Sequence, residues 1–286
     1  MVKILITGSN GQLGMELCHL LNEAKIDYLG VNSQELDITD KKKVNQLFET
    51  YQPDVVYDCA AYTAVDAAEE EPGKLLNWQV NVDGTRNLAE ASEKLAAKLV
   101  YISTDYVFDG TKQEMYSEQD RPNPKNEYGR AKLEGEKVVQ QIVSSYYIVR
   151  TSWVFGKYGK NFVYTMMRLA QSHSELSVVD DQVGRPTWTR TLAEFMIFLV
   201  QEQANFGLYQ LSNEGQCSWY EFACEILKTT DTVVKPVSST QFPQKAYRPK
   251  HSVMSLSKSA KLGFKNLTWQ NALRDFQSVA DIDTIN

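Results

Sequence analysis

Tyr128 and Lys132 stand four residues apart in the stretch YGRAK. On a helix that spacing puts a phenol and an ammonium on one face, close enough to interact. A free phenol, with a pKa near ~10, holds its proton too tightly for easy exchange at neutral pH. An ammonium beside it favours the phenolate and draws that value down, which would make Tyr128 a usable proton donor. About two dozen residues earlier the run KLVYIS ends in Ser103, followed by Thr104 and Asp105. A hydroxyl at Thr104 can share a reacting oxygen with Tyr128, so Thr104, Tyr128 and Lys132 read as one acid–base set. By itself Tyr-x-x-x-Lys describes an exposed helix pair equally well. Its meaning depends on the elements that carry it.

Those elements are visible as alternating patterns. VKILIT is continuous, β-branched and followed by glycine, as suits a strand buried on both faces. QLGMELCHLLNEA follows with helical spacing at Leu13, Leu17, Leu20 and Leu21. YLGV, DVVYDCA, KLVYIS and SYYIVRTSW are further strand candidates, and helical stretches begin near Lys41, Leu75 and Asn126. Pro122 and Pro124 suit the approach to the last of these. Strands and helices alternating at this spacing imply parallel βαβ units in a doubly wound sheet. In such a sheet the ligand crevice lies just beyond the strand C-termini, where Thr104 and Asp105 fall.

TGSNGQLG places Gly8, Gly11 and Gly14 directly after the first strand and at the start of a helix. Glycine is required where the chain turns tightly, where backbone approaches a pyrophosphate and where helix meets strand closely. The helix N-terminus then offers free N–H groups to the phosphates. This predicts a dinucleotide site. After YLGV, the position where one acid normally holds the adenosine ribose of NAD carries Asn32 and Ser33. A neutral pair permits the 2′-phosphate of NADPH, and no adjoining arginine excludes NADH. Asp37 and Ile38 are placed to border the adenine. With a reduced nicotinamide bound, hydride transfer to a carbonyl carbon would pair with protonation of its oxygen by Tyr128, while Lys132 holds ribose hydroxyls.

Beyond Trp153 the rhythm loosens. NFVYTMMRLAQSH and TLAEFMIFLVQEQ read as helices, LSVVDDQVGRPT as a strand running into a loop, and GLYQLS as a strand. Ser218 is placed to cap the helix SWYEFACEILKTT. FPQKAYRPKHS is a basic, proline-containing loop, and short helical segments follow around Ser257 and Trp269. The fold expected is α/β: a Rossmann-type doubly wound parallel sheet over residues 1–152, and a smaller, mostly C-terminal substrate-binding lobe over 153–286. Later segments are free to cross back into the first lobe.

Composition narrows the partners. The chain has 286 residues and a formal net charge of -6, which argues against nucleic acid while permitting a locally basic pocket. No apolar run reaches membrane-spanning length, and MVKILITG is too short for a secretory segment. Cys18, Cys59, Cys217 and Cys224 are scattered, which fits free thiols, and the three histidines lack zinc-type spacing. A cytoplasmic protein without a bound metal is expected.

Together these motifs resemble the extended short-chain dehydrogenase/reductase superfamily and, within it, the dTDP-4-dehydrorhamnose reductase family. The likeness runs through TGSNGQLG, LDITD, PDVVYDCAAYTAVDAAE, STDYVFDG, YGRAKLEGE, RTSWVFG, NFVYTMMRLA and DQVGRPT. It implies reduction of a nucleotide-sugar C4 ketone, usually with NADPH. The family's catalytic set falls on Thr104, Tyr128 and Lys132. Its cofactor contacts fall on Asn10, Gly11, Gln12, Leu13, Asp37, Ile38, Ala60, Ala61, Tyr62, Thr63 and Tyr101. Its substrate contacts fall on Asp66, Thr104, Asp105 and Trp153, with Arg185 a candidate for the diphosphate. Asp66 is also placed to cap the helix after AAYTAV. Some members form a magnesium-bridged homodimer. Glu16 matches one of those acids, but Arg190 stands where another belongs, so the metal does not carry over and the homodimer stays open. A nucleotide-sugar dehydratase or epimerase is an alternative, although Tyr106 occupies the place of the dehydratase acid. A non-catalytic regulatory subunit, resembling that of methionine adenosyltransferase, is another.

Overall fold

In the first half, apolar runs form strands and amphipathic stretches form helices. The order is β1 (Ile4–Thr7), α1 (Gln12–Glu23), β2 (Tyr28–Val31), α2 (Lys41–Tyr51), β3 (Val55–Asp58), α3 (Gly73–Trp78), α4 (Thr85–Lys94), β4 (Lys98–Thr104), α5 (Glu127–Ile142) and β5 (Tyr146–Thr151). One wider π-type segment, Gln79–Gly84, joins α3 to α4. The second half adds β6 (Val154–Phe155), α6 (Phe162–Ala170), β7 (Glu175–Val179), β8 (Val183–Gly184), β9 (Thr187–Trp188), α7 (Thr189–Gln201) and β10 (Gly207–Gln210). β11 (Cys217–Ser218), α8 (Trp219–Ile226), β12 (Val233–Val237), α9 (Ser257–Lys261) and α10 (Trp269–Val279) complete it. This computed structural model describes residues 2–280.

Six strands form a parallel sheet in the order β10-β5-β4-β3-β1-β2. Because successive strand side chains point to opposite faces, each strand feeds two cores. Leu5, Val56, Leu99 and Ile148 pack with Val44 and Phe48 of α2, Leu88 of α4 and Val138 of α5. Ile4, Ile6, Val55 and Tyr57 pack on the other face with Leu17 of α1 and with Leu192, Phe195, Met196 and Leu199 of α7. Those four α7 side chains are all fully buried, at roughly 1.5–3 kcal/mol each. α7 is thereby tied to the first lobe. It and β10, which pairs with β5, lie beyond residue 152 yet complete the sheet layer. A separate aromatic core of Phe155, Phe222, Trp269 and Phe276 holds α6, α8 and α10 around the paired β7 and β12.

β1 lies between β2 and β3, so the winding reverses there and opens a crevice above the ends of β1 and β3. Caps fix where the surrounding helices begin. Asp40 accepts the N–H groups of Lys42 and Lys43 at the start of α2. Asn126 accepts the Gly129 N–H at 2.7 Å at the start of α5. Ser218 and Glu221 form a reciprocal capping box on α8. Among the described residues, no helix is long and apolar enough to cross a membrane, and the four cysteines are free.

Candidate active site

The crevice is a cavity of about 480 Å³. Its floor begins at the glycine turn. Gly8 has φ +63, and a Cβ there would lie 2.7 Å from Ala60 N. A Cβ on Gly14 would lie 2.1 Å from the Gly8 carbonyl oxygen. Both positions therefore demand glycine, and the turn stays open for a group approaching its backbone. Gly11 precedes α1 with no side chain capping the helix, and its first turn carries no acid. Free N–H groups and the positive helix end thus face the cavity that Gly11, Gln12 and Leu13 line. Asn10 lies on the same turn. This cradle fits a dinucleotide pyrophosphate.

The chemical groups enter from two elements. β4 ends at Thr104, and α5 begins one residue before Tyr128. Thr104, Asp105, Tyr128 and Lys132 all line the cavity. The expected effect of Lys132 on the phenol is not what the structure supports. Burial, and next to it the charge of Asp105, push Tyr128 well above the usual phenol range, with the Thr104 hydroxyl opposing them. The lysine's charge is engaged elsewhere. Lys132 is 2% exposed, its Nζ lies 4.0 Å from the Tyr101 ring centroid, and Asp58 and Glu136 supply the nearby negative charge. Burial still lowers the ammonium to about 8. Tyr128 is therefore a neutral phenol at physiological pH, the form a proton donor needs.

Glu136 sits one turn beyond Lys132 and locks α5 to the sheet. Arg150 of β5 donates from Nε at 2.8 Å and from Nη2 at 2.6 Å, and Ser103 of β4 donates to the same carboxylate. Asp58, at the end of β3, accepts from Thr7 at 2.7 Å and from Ala60 N at 3.2 Å. Its second oxygen is buried without a partner, and the Lys132 charge acts on this carboxyl against its burial.

Trp153 lines the same cavity. Its φ is +48, a left-handed conformation that costs a non-glycine residue of order 1–3 kcal/mol at such sites. Packing holds it there. The indole stacks on Trp219 at 3.6 Å between centroids, and a Cβ on Gly184 would strike it at 2.5 Å. Tyr106 and Trp219 also line a second cavity of about 350 Å³, together with Phe162, Phe242, Gln244 and Arg248. Arg248 lies over the Tyr106 ring and donates to Asp66 at 2.8 Å.

Other sequence-expected residues are placed differently. Ala60, Ala61 and Thr63 line the main cavity. Tyr62 is instead held at its backbone by Asn81. Tyr101 is wholly buried beneath Lys132, its Oη 3.5 Å from the Lys132 carbonyl. Asp37 turns its carboxylate onto Thr39, and Ile38 is core against Gly84. Asn32 binds its own loop through the Gln34 N–H. Asp66 caps nothing; it accepts from Arg248 and from the Ala246 N–H. Arg185 lines neither cavity, and its Nη2 contacts the Met115 sulfur at 3.2 Å. Arg190 is ringed by Glu16, Glu23 and Glu194, and an arginine cannot ligate a cation. Sequence reading missed Lys160, Asp58, Trp219 and Arg248 on the cavity walls. Two of these had a local signal: Asp58 ends a strand that points at the crevice, and Lys160 is a cation just before the helix cap Asn161.

A doubly wound sheet with a glycine cradle at its switch point, and a Thr–Tyr–Lys set beside it, defines a dinucleotide-fold protein of the extended short-chain dehydrogenase/reductase class. The model of the RmlD substrate binding domain family matches residues 2–281. A dTDP-4-dehydrorhamnose reductase of Aggregatibacter actinomycetemcomitans is 38% identical, covering 98% of this chain and 100% of that protein. The spore coat polysaccharide biosynthesis protein SpsK of Bacillus subtilis is 40% identical over 96% of this chain and 97% of its own. The crystal structure of the Bacillus anthracis dTDP-4-dehydrorhamnose reductase in complex with NADP superposes with a TM-score of 0.93, at 42% identity, covering 97% of this chain and 99% of that one. The chain belongs to the RmlD family, that of the dTDP-4-dehydrorhamnose reductases.

Proposed function

We propose that this protein is a cytoplasmic enzyme that reduces the C4 ketone of dTDP-4-dehydro-L-rhamnose to give dTDP-L-rhamnose. It uses NADPH, accepts NADH, and takes the proton from Tyr128. One observation carries the reading: Thr104, Tyr128 and Lys132 open into the same cavity as the glycine turn. The names borne by the relatives, and the NADP in the Bacillus anthracis structure, support the substrate and the cofactor.

A reduced nicotinamide dinucleotide, when bound, supplies the hydride. The residues of the chain do the rest. Gly8, Gly11 and Gly14 with the open start of α1 hold the pyrophosphate, and Lys132 is positioned to hold ribose hydroxyls. The Tyr128 Oη–H gives its proton to the ketone oxygen as negative charge develops there, help typically worth about 10²–10⁴-fold. Trp153 and Trp219 wall off water on the sugar side. The outer cavity, with its aromatic walls and Arg248, takes the nucleoside diphosphate end; Arg248 replaces Arg185 as the proposed diphosphate cation. The test is spectrophotometric, with dTDP-4-dehydro-L-rhamnose added to protein and each reduced nicotinamide in turn. Stoichiometric oxidation is expected. An epimerase, a dehydratase or a regulatory subunit would leave the absorbance unchanged, and that result would overturn the reading.

A further inference from the structure

Asp105 is the least explained group in the cavity. It is 2% exposed, and its Oδ2 is buried with no hydrogen-bond partner. Its Oδ1 accepts the Thr104 hydroxyl proton at 3.2 Å. The Thr104 oxygen in turn accepts the Tyr106 N–H at 3.1 Å. A threonine hydroxyl carries one proton. While that proton is given to Asp105, Thr104 has none for the oxygen that Tyr128 must protonate.

We infer that Asp105 is a positioning residue that governs the direction of the Thr104 hydroxyl, resting on the reading of Tyr128 as proton donor. As a carboxylate, Asp105 can only accept, and it claims the threonine proton. As a neutral acid, it donates its own O–H to the Thr104 oxygen and releases the threonine proton toward the reacting oxygen. Passing from carboxylate to neutral acid takes up one proton from solvent, and Asp105 keeps that proton through the turnover, since the one given to the ketone comes from Tyr128. The state of Asp105 also acts on the phenol, because its negative charge makes Tyr128 a weaker acid. Both effects favour ketone reduction when Asp105 is neutral.

The surroundings make such a switch workable. Burial raises the Asp105 carboxyl to about 6, with the Ser252 and Thr104 hydroxyls holding it down in part. The charged and titratable groups around it are Tyr128 and Lys132 of α5, Tyr106 on its own turn, Arg248 and Asp66 beyond Tyr106, and Asp58 across the cavity. A substrate that displaces water from the cavity desolvates Asp105 further, so its neutral form gains in the complex.

The experiment is a pH profile of kcat/KM for the wild-type enzyme, Asp105→Asn and Ser252→Ala at saturating cofactor. It is joined to infrared titration of the buried carboxyl in the protein alone. Losing one donor to a developing oxyanion costs about 10²–10³-fold, so the wild-type profile is expected to fall by that order as pH rises through a break near ~6. In kcat the break should lie higher. Asp105→Asn should lose both the break and the carboxyl band. Ser252→Ala removes a hydroxyl that stabilises the carboxylate, so its break and its band should move up together. Should Asp105→Asn keep the wild-type break, or Ser252→Ala move the band without the break, the inference is overturned. Tyr128→Phe separates the two readings. If it turns over normally, the proton-donor reading fails. If it is inactive while Asp105→Asn keeps the wild-type profile, only the switch fails.

Discussion

Lys132 is a charge the fold holds against its preference, and replacing it by methionine exposes the cost. The ammonium is 2% exposed and lowered from 10.5 to about 8. That difference corresponds to about 3 kcal/mol of destabilisation at neutral pH, at ~1.36 kcal/mol per pKa unit. Below about pH 8 the lysine is charged in both folded and unfolded chains, and the whole penalty applies. Between about 8 and 10.5 the unfolded chain binds more protons than the folded one, so the penalty fades as pH rises. Lys132→Met removes the buried charge and keeps most of the volume. The attraction of Asp58 and Glu136 for the ammonium is already contained in that net shift. The variant is expected to be about 2–3 kcal/mol more stable than the wild type near pH 7, and inactive. Urea unfolding of both proteins, followed by circular dichroism from about pH 7 to 9.5, reads this as a difference. Thiols and phenols that titrate in both proteins cancel. The gap should shrink steadily above pH ~8. A variant no more stable than wild type near pH 7, with a gap indifferent to pH, would refute the idea that the site stores this cost.

Three further outcomes follow from the same geometry. Glu136→Ala strands the buried Arg150 guanidinium and should cost about 3–5 kcal/mol in urea unfolding, whereas Glu136→Met combined with Arg150→Leu should cost far less. Gly14→Ala places a methyl group 2.1 Å from the Gly8 carbonyl oxygen, so tryptophan-fluorescence titration should show reduced-dinucleotide affinity falling by at least ~10-fold, a loss of about 1.4 kcal/mol. Arg248→Ala should raise the KM for the nucleotide sugar by roughly 10–100-fold, as for a lost charge-assisted hydrogen bond of about 1.5–3 kcal/mol, with kcat changed much less.

The sheet was legible in the sequence because its strands are buried. β1 reads as an unbroken apolar run, β3 and β5 as apolar runs that each carry one charged residue, Asp58 and Arg150, and the helices between them repeat leucine or valine at helical spacing. GLYQLS was legible as a strand but not as the sixth strand of this sheet, since that depends on a pairing with β5 some sixty residues away. In the cavity, Thr104, Tyr128 and Lys132 were legible because a strand end and a helix start bring them there. Arg248 was not: its partner Asp66 is 182 residues distant, and nothing in a basic loop says which acid it will meet. The same holds for the phenol. Spacing showed that Lys132 shares a helix face with Tyr128, but not that Asp58, Glu136 and the Tyr101 ring would occupy the ammonium, nor that Asp105 would set the charge felt by Tyr128.

The most direct measurement is single-turnover reduction of dTDP-4-dehydro-L-rhamnose by Tyr128→Phe, beside equilibrium binding of the reduced dinucleotide to the same variant. Removing one hydroxyl from a half-buried ring leaves the cradle and the fold intact, so binding should match wild type while the rate falls by about 10²–10⁴-fold. Near-normal turnover in a variant that binds the dinucleotide normally would mean that the proton comes from another group.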